Sequence, residues 1–346
     1  MPSPSASWAE KDVTFTSSDG FVLHGTFTTP PNIASRTPFV TIAAGTGKLD
    51  RNGNSAAGPK QIKLAIYAEL AHFLASIGVA SIRFDKRGTH ASLTPPPSYK
   101  GNQDIFNSLG IDDLASDIAA ALNFGATQPE VDSAKLFIAG HSEGGILAGR
   151  ICRKVAELYP TLNLKGYLIL CAFGETLQSA IDNQQNLVLE DLAHGSFVMR
   201  NVAKPLLTHV ESLGPAGARA FALDSKNKDK DIATFMFKPF PLRWYRDHFT
   251  MNLEEESKHI KCPVLIVGGG KDVQCNSANC TRENADRLLV NSPKVDIVVA
   301  PHMTHVLKNT ELEHVNMLKI LEIYKEQAKE PLAPEFTDAV EKFISA

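Results

Sequence analysis

The 346-residue chain has few cysteines, no clear excess of either charge and no long apolar run. Five cysteines are a small and odd number for this length, so we expect no disulfide framework and favour a reducing, cytoplasmic location. The chain has 35 basic and 38 acidic residues, so its formal charge is only -3, and nothing in the composition points to nucleic acid as a partner. The apolar runs are far shorter than the ~20 residues of a membrane-spanning helix. The first thirty residues lack a basic start followed by an apolar stretch, which predicts no secretory signal.

Metal and cofactor patterns are also missing. Cys275 and Cys280 lie close together, but no second pair of cysteines or histidines completes a zinc pattern, so we interpret both as ordinary thiols. The glycines at 268–270 do not form the Gly-x-Gly-x-x-Gly of a dinucleotide site, and the residues around Lys48 do not form a P-loop. We therefore predict neither a metal nor an organic cofactor.

Short apolar segments with strand character alternate with segments of helical periodicity. We predict a hairpin from residues 13–16 and 21–27 around an Asp-Gly turn. Further strands are predicted at residues 39–43, 78–84, 136–139, 167–171, 264–267 and 295–299, and helices at 62–77, 109–124 and 145–158. This alternation is typical of an α/β fold with a mostly parallel, doubly wound sheet, in which the hairpin adds antiparallel strands at one edge.

One long stretch interrupts this pattern. Between Gly174 and Lys261 the sequence has no strand signal and is mostly helix-like, and it is far longer than the ~2–6 residues of an αβ connection. We therefore interpret residues 175–261 as an inserted helical cap, and residues 1–174 and 262–346 as the core domain. The cap carries aromatic side chains that contact substrate, pack the cap onto the core or, as a weaker alternative, form a membrane-facing patch, namely Phe235, Phe237, Phe240, Trp244, Tyr245 and Phe249.

Residues 140–144, Gly-His-Ser-Glu-Gly, fit the pattern Gly-x-Ser-x-Gly. The pattern follows a predicted strand and opens a predicted helix, which is the setting of a nucleophile elbow. In such a turn the serine is held in a strained conformation, and the glycines avoid side-chain clashes. We therefore predict Ser142 as an exposed nucleophile at a helix N-terminus, where a developing negative charge is stabilised.

A nucleophilic serine needs a histidine as base and an acid that orients the histidine, and in this setting the chain order is serine, acid, histidine. Asp272 and His305 follow two neighbouring predicted strands, so both are expected at the same edge of the sheet as Ser142. Glu175, just after the preceding strand, is an alternative acid, and His302 is an alternative base. We favour Asp272, and we favour His305 because its longer loop lets it reach back over the sheet edge.

Two backbone N–H groups must stabilise the negative charge that such a reaction places on the carbonyl oxygen. The residue after the nucleophile supplies one of them, here Glu143. The other comes from the loop after the third strand, residues 44–47, in which Thr46 is the predicted donor.

These and other segments resemble the α/β-hydrolase superfamily, specifically the bacterial-type serine esterases with a helical cap. Residues 44–54 are similar to the Gly-Ser-Gly-Pro-x-Asp-Arg-Asp-Gly-Asn loop of that family, and residues 83–88 match its Arg-x-Asp-x-Arg-Gly segment. Further likenesses are the elbow at 140–145, the histidine segment at 301–306 and the Pro-Leu-Ala-Pro at 331–334. The sequence departs from the family at Lys48 and His90, which stand where proline and glycine are usual.

The resemblance implies Ser142, Asp272 and His305 as a catalytic triad and the hydrolysis of small acyl esters. The same machinery could cleave thioesters, lactones or peptides, or transfer the acyl group to another acceptor. A catalytically silent relative would instead bind a small ligand or a partner. We also expect Asp85 and Arg87 to pair with each other and to brace the loops around the site.

Overall fold

The computed structural model describes residues 8–31, 35–55, 62–95, 104–205 and 214–346. Within these ranges the strands are β1 (Ala9–Thr16), β2 (Val22–Thr29), β3 (Thr37–Ala43), β4 (Ala80–Phe84), β5 (Val131–His141), β6 (Leu164–Leu170), β7 (Ala233–Phe235), β8 (Lys238–Phe240), β9 (Val264–Gly269) and β10 (Val295–Ala300). The α-helices are α1 (Ile66–Ser76), α2 (Ile105–Ser108), α3 (Ile111–Ala126), α4 (Glu143–Ile146), α5 (Ala148–Leu158), α6 (Leu177–Ala193), α7 (Pro215–Leu223), α8 (Leu242–Thr250), α9 (Leu253–Ser257), α10 (Arg282–Leu288), α11 (Ile320–Gln327) and α12 (Pro334–Ser345).

Eight of these strands form one sheet in the order β1-β2-β4-β3-β5-β6-β9-β10. The six strands from β4 to β10 pair in parallel, whereas β1 pairs with β2 and β2 with β4 in the antiparallel direction. The predicted fold class, a mostly parallel sheet with an antiparallel hairpin at one edge, is therefore confirmed. Because parallel strands end at the same edge, the loops that follow β3, β4, β5, β9 and β10 meet there.

Both faces are buried in the parallel part of the sheet, which explains why strands such as β3, β4 and β9 are nearly continuous apolar runs. In β5, Leu136 and Ile138 belong to the apolar cluster that includes residues of α3 and α5. Their neighbours Phe137 and Ala139 belong to the opposite cluster, with residues of α1 and α12. Successive side chains of a strand point to opposite faces, so each position from Leu136 to Ala139 contributes to one of the two cores.

The segment between β6 and β9 contains helices α6 to α9 and also the short β7–β8 hairpin, so the prediction of no strand there is wrong. The two residues of its turn, Met236 and Phe237, both have positive φ angles of 49° and 63°. A two-residue hairpin needs that conformation, but it is usually signalled by Asn-Gly or Asp-Gly. Three-residue strands joined by two large apolar residues carry no such signal.

Asp85 and Arg87 each brace loops, but the prediction that they pair with each other is wrong. The Asp85 carboxylate accepts hydrogen bonds from the backbone N–H of Arg51 at 2.7 Å and from its guanidinium at 2.8 Å. The buried Arg87 guanidinium instead binds Asp117 and Asp19, with Nε 2.7 Å from Asp117. Since Arg51 lies 34 residues from Asp85 and Asp117 lies 30 from Arg87, nearness in the sequence did not indicate the partners.

Helix α8, which lies between β6 and β9 in the sequence, is joined to helix α3 of the core by polar contacts. Arg243 donates to Asp113 at 2.9 Å, and the Asp247 carboxylate accepts the backbone N–H of Ile111 at 3.2 Å. Both contacts are made to the first turn of α3. None of the helices in the described part of the chain has the length and apolar character that crossing a bilayer requires.

Candidate active site

Ser142 lies in a sharp turn between β5 and α4, with φ 53° and ψ -118°. Two neighbouring glycines are required by close backbone approach. A Cβ on Gly140 would lie 2.3 Å from the carbonyl oxygen of Gly144, and a Cβ on Gly144 would lie 2.4 Å from that of Ala43. The strained φ of a non-glycine residue, held by backbone on both sides, is typical of a nucleophile elbow. Ser142 is half-buried rather than exposed as predicted.

The structure brings Asp272 and His305 together. Their side chains are 1% and 7% exposed, and Asp272 Oδ2 lies 2.9 Å from Nδ1 of His305. The other carboxylate oxygen, Oδ1, accepts the backbone N–H groups of Gln274 at 2.8 Å and Cys275 at 2.9 Å. Because a carboxylate oxygen can only accept, Nδ1 carries a proton, and in the tautomer of the neutral ring that makes this bond Nε2 is the acceptor.

The two alternatives from the sequence lie elsewhere. Glu175 is buried, and its Oε1 accepts from the backbone N–H of Asn276 at 2.8 Å and from the Asn279 side chain at 2.9 Å. Its Oε2 accepts from Ser179 at 2.6 Å. Glu175 therefore fastens the loop that follows Asp272. His302 is exposed to solvent.

A cavity of about 350 Å³ lies over the elbow, and both Ser142 and His305 line it. Leu177 and Ile181 of α6 and Trp244 of α8 form part of its wall. The nucleophile and base candidates thus share one chamber, and part of that chamber is built from the segment between β6 and β9.

The loop after β3 reaches the same chamber. A Cβ on Gly45 would lie only 3.0 Å from the Cβ of Ser142, and the exposed Thr46 lines the cavity. Glu143 is the first residue of α4, so its backbone N–H has no partner within the helix. Both predicted N–H donors therefore lie beside the elbow.

Residues 63–311, well over half of the chain, match the family model described as serine aminopeptidase, S33. The chain belongs to this α/β-hydrolase family. No curated protein sequence matches the chain. Among solved structures, the esterase Pf2001 of Pyrococcus furiosus is similar over 98% of this chain and 90% of its own, with a TM-score of 0.52 and 14% identity.

Two further structures are similar to this α/β-hydrolase. Est1E of Butyrivibrio proteoclasticus, solved with ferulic acid bound, has a TM-score of 0.50 and 18% identity over 91% of this chain and 97% of its own. The α/β-hydrolase GrgF of a Penicillium species has a TM-score of 0.50 and 15% identity over 94% of this chain and 99% of its own. At such identities the likeness shows the fold alone.

A buried hydrogen-bond chain, not predicted from the sequence, links three loops of the hydrolase site. The backbone N–H of Gly45 donates to the Tyr67 hydroxyl at 2.7 Å, and that oxygen lies 3.0 Å from Nδ1 of His141. The other ring nitrogen, Nε2 of His141, lies 2.8 Å from the carbonyl oxygen of His305 and must donate to it. Burial, followed by the nearby His305, lowers the pKa of His141 to about 3, so this ring is neutral at pH 7.

A buried ion pair lies on the other side of the elbow and was also not predicted. Lys86 Nζ is 2.6 Å from Oε2 of Glu143, whose Oε1 accepts from Trp244 Nε1 at 2.6 Å and from His248 Nε2 at 3.2 Å. Burial alone would raise the pKa of the Glu143 carboxyl, but the charges and hydrogen bonds of Lys86 and His248 hold it well below its ordinary value. The elbow residue Glu143 thereby connects the core to α8.

The thiols beside the site are protonated. Burial and then the charge of Asp272 raise the pKa of Cys280 to about 12, and they raise those of Cys275 and Cys171 as well. Among the described residues, one group of potential metal ligands lies close enough to bind an ion, namely Cys171, Asp272 and His305, with ligand atoms within 4.8 Å of one another. Since Asp272 and His305 already share a hydrogen bond, we interpret them as an acid–base pair beside a protonated thiol.

Proposed function

We propose that this chain is a serine hydrolase that cleaves carboxylic esters through an acyl-enzyme on Ser142. The observation that carries the proposal is one chamber with two features. Ser142 stands in it on a strained elbow, and His305 enters it with Nδ1 held by the buried Asp272. A serine, an unprotonated imidazole nitrogen and an orienting carboxylate together are the requirements for nucleophilic acyl transfer.

In the proposed mechanism, Nε2 of His305 takes the proton of the Ser142 hydroxyl as the oxygen attacks the ester carbonyl. The backbone N–H groups of Thr46 and Glu143 bind the resulting oxyanion. His305 then gives the proton to the leaving alkoxide. A water molecule, activated by the same nitrogen, releases the acid and regenerates Ser142. Asp272 keeps the proton on Nδ1 and stabilises the imidazolium.

An apolar chamber beside the site indicates the kind of ester. A second cavity of about 410 Å³ shares Thr46, Trp244 and Tyr245 with the first. Apolar side chains provide much of its wall, including Phe106, Leu109, Leu114, Phe235 and Phe240. Because Thr46 lies at the junction, a carbonyl bound at the proposed oxyanion hole would place one arm of the ester in this chamber. We therefore propose substrates with a bulky apolar arm.

We propose residues 175–261 as the cap that closes these chambers. Trp244 and Tyr245, which line both cavities, come from this segment. The predicted aromatic residues divide between the two roles. Phe235 and Phe240 line the apolar chamber, whereas Phe249 packs on Tyr245 with ring centroids 5.6 Å apart. Phe237 is fully exposed and has neither role.

The family description names an aminopeptidase, which must recognise a charged amino terminus. Such recognition needs an acidic group that faces the substrate. Among the described residues that line the two cavities, Glu143 alone is acidic, and its carboxylate is occupied by Lys86, Trp244 and His248. An ester is therefore favoured over an amino-terminal peptide.

The experiment is hydrolysis of p-nitrophenyl esters from acetyl to dodecanoyl by the wild type and by Ser142→Ala. We expect turnover by the wild type, a preference for acyl chains longer than acetyl, and background rates for the variant. Equal rates for the two proteins would refute the assignment. Wild-type protein that cleaves no ester but reacts with a fluorophosphonate would direct attention to thioesters, lactones or peptides, and protein that does neither would support a ligand-binding role.

A further inference from the structure

Lys86 makes a contact that the proposed mechanism does not yet use. Besides its ion pair with Glu143, its Nζ donates a hydrogen bond of 2.6 Å to the carbonyl oxygen of Gly45. That carbonyl and the N–H of Thr46 belong to the same peptide group. We propose that Lys86 is a positioning residue that orients and polarises the peptide supplying the Thr46 N–H to the oxyanion hole. This inference rests on the proposed function.

The geometry of the peptide group links the two ends of this contact. A trans peptide is planar, with its C=O and N–H pointing in opposite directions, so holding the carbonyl of Gly45 also sets the direction of the Thr46 N–H. The positive charge of the Lys86 ammonium beside the carbonyl oxygen draws electron density away from the N–H of the same peptide group, which makes that N–H a stronger donor. Lys86 is 8% exposed, so solvent screens this interaction little.

The loop is held from the other side as well. The preceding N–H, that of Gly45, donates to the Tyr67 hydroxyl at 2.7 Å. Tyr67 and Lys86 therefore fix the two peptide groups that flank the Cα of Gly45. Because the peptide groups on both sides of Gly45 are held, the Thr46 N–H is already oriented before the oxyanion forms. Donors that are preorganised in this way stabilise a transition state without the cost of reorienting.

Glu143 couples the two proposed donors to each other. Its backbone N–H is one donor, while its side chain holds the lysine that acts on the peptide of the other. The same carboxylate accepts from Trp244 and His248 of α8, so it retains two donors when Lys86 is absent. The ion pair could alternatively be no more than a support for α8, and a test must separate these two roles.

The test compares Lys86→Met with the double variant Lys86→Met/Glu143→Gln, in which the uncompensated buried carboxylate is also removed. Lys48→Met is the matched control, because Lys48 lies on the loop that carries Gly45 and Thr46, is exposed, and has its ammonium over the Phe106 ring rather than at a peptide carbonyl. For each protein, kcat and KM are measured on the best p-nitrophenyl ester, together with the affinity for an aryl trifluoromethyl ketone. Such a ketone adds to the serine and places an oxyanion in the hole.

We expect kcat to fall about 10- to 100-fold in both Lys86 variants, less than the 10²–10³-fold cost of removing a whole oxyanion donor. KM should change by less than about threefold, and ketone affinity should fall in step with kcat/KM, because only the transition state carries the oxyanion. The double variant, with no buried unpaired charge, keeps the test readable if Lys86→Met folds poorly. Lys48→Met should match the wild type in all three quantities.

Two results would overturn the inference. Recovery of wild-type kcat and ketone affinity in the double variant would mean that Lys86→Met suffers only from the buried carboxylate. Wild-type kcat in both Lys86 variants, with Ser142→Ala inactive, would exclude a positioning role while leaving the esterase proposal intact. Full activity of Ser142→Ala would instead refute the proposed function, and the Lys86 inference with it.

Discussion

Replacing Asp272 by asparagine exchanges one carboxylate oxygen for an NH₂ group, and it should move the proton of the neutral His305 ring from Nδ1 to Nε2. In the wild type, Oδ2 accepts from Nδ1 of His305 at 2.9 Å, and Oδ1 accepts two backbone N–H groups at 2.8 and 2.9 Å. An asparagine has only one oxygen. If its NH₂ faced the two backbone donors, two donor–donor contacts would result, so the oxygen must stay there and the NH₂ must face His305.

That orientation determines the size of the effect. An NH₂ group opposite Nδ1 forces this nitrogen to accept, so the proton moves to Nε2, the nitrogen that should take the proton of Ser142. In a protease with a Ser-His-Asp triad, the same aspartate-to-asparagine substitution lowers kcat by a factor of about 10⁴. We expect a similar loss here, which corresponds to about 5.5 kcal/mol in the activation free energy.

The assay is kcat/KM for ester hydrolysis between pH 6 and pH 9, with the unfolding midpoint measured in parallel. Glu175→Gln is the matched control, because it makes the same chemical change in a buried carboxylate at the alternative position. We expect the control to lose far less activity than Asp272→Asn. An active Asp272→Asn beside an inactive Glu175→Gln would refute the assignment of the acid.

Three further predictions concern stability and pH. Arg87→Met should lower the free energy of unfolding by about 3–5 kcal/mol, because it leaves the Asp117 carboxylate buried without its ion pair; the additional change Asp117→Asn should recover part of that loss in urea titrations. Gly144→Ala should destabilise by at least about 1–3 kcal/mol in the same assay, since its Cβ would lie 2.4 Å from the backbone oxygen of Ala43, and a wild-type midpoint would contradict the close approach. With its pKa lowered to about 3, His141 stays neutral in the folded protein, whereas the same histidine in the unfolded chain takes up a proton near pH 6.5, so wild-type stability should fall as the pH drops from about 6.5 towards 3. His141→Gln lacks this proton uptake, so the difference in free energy of unfolding between wild type and variant should shrink from pH 7 to pH 4. A difference that stays constant would contradict a neutral buried ring.

Much of the fold could be predicted because local patterns determine it. Continuous apolar runs identified the central strands, and the order of strands and helices indicated a parallel sheet. Element bounds were less accurate. Helix α1 begins at Ile66 rather than at residue 62, after Ala65 in a left-handed conformation, and the helix predicted at 145–158 begins at Glu143 and is interrupted at Leu147. A left-handed alanine and a single non-helical residue between two helices leave no recognisable residue-type signal in the sequence.

The candidate residues found from the sequence all stand in the turns and loops that follow apolar strands, and the topology brings those loops to one edge of the sheet. The residues that it missed act through distant partners. His141 adjoins the predicted serine, but its partner Tyr67 lies 74 residues away, and Lys86 lies 57 residues from Glu143. A charged residue inside the elbow pattern, Glu143, was a signal for a buried counter-charge, since a carboxylate in a core is rarely unpaired.

Covalent labelling of Ser142 tests the central claim most directly. The protein would be treated with a fluorophosphonate, digested, and mapped by mass spectrometry, with Ser142→Ala and heat-unfolded wild type as controls. We predict a single phosphonylated peptide carrying the label on Ser142 in the folded wild type, and no label in either control. A label on another residue, or none at all in the folded protein, would contradict an activated serine at this elbow.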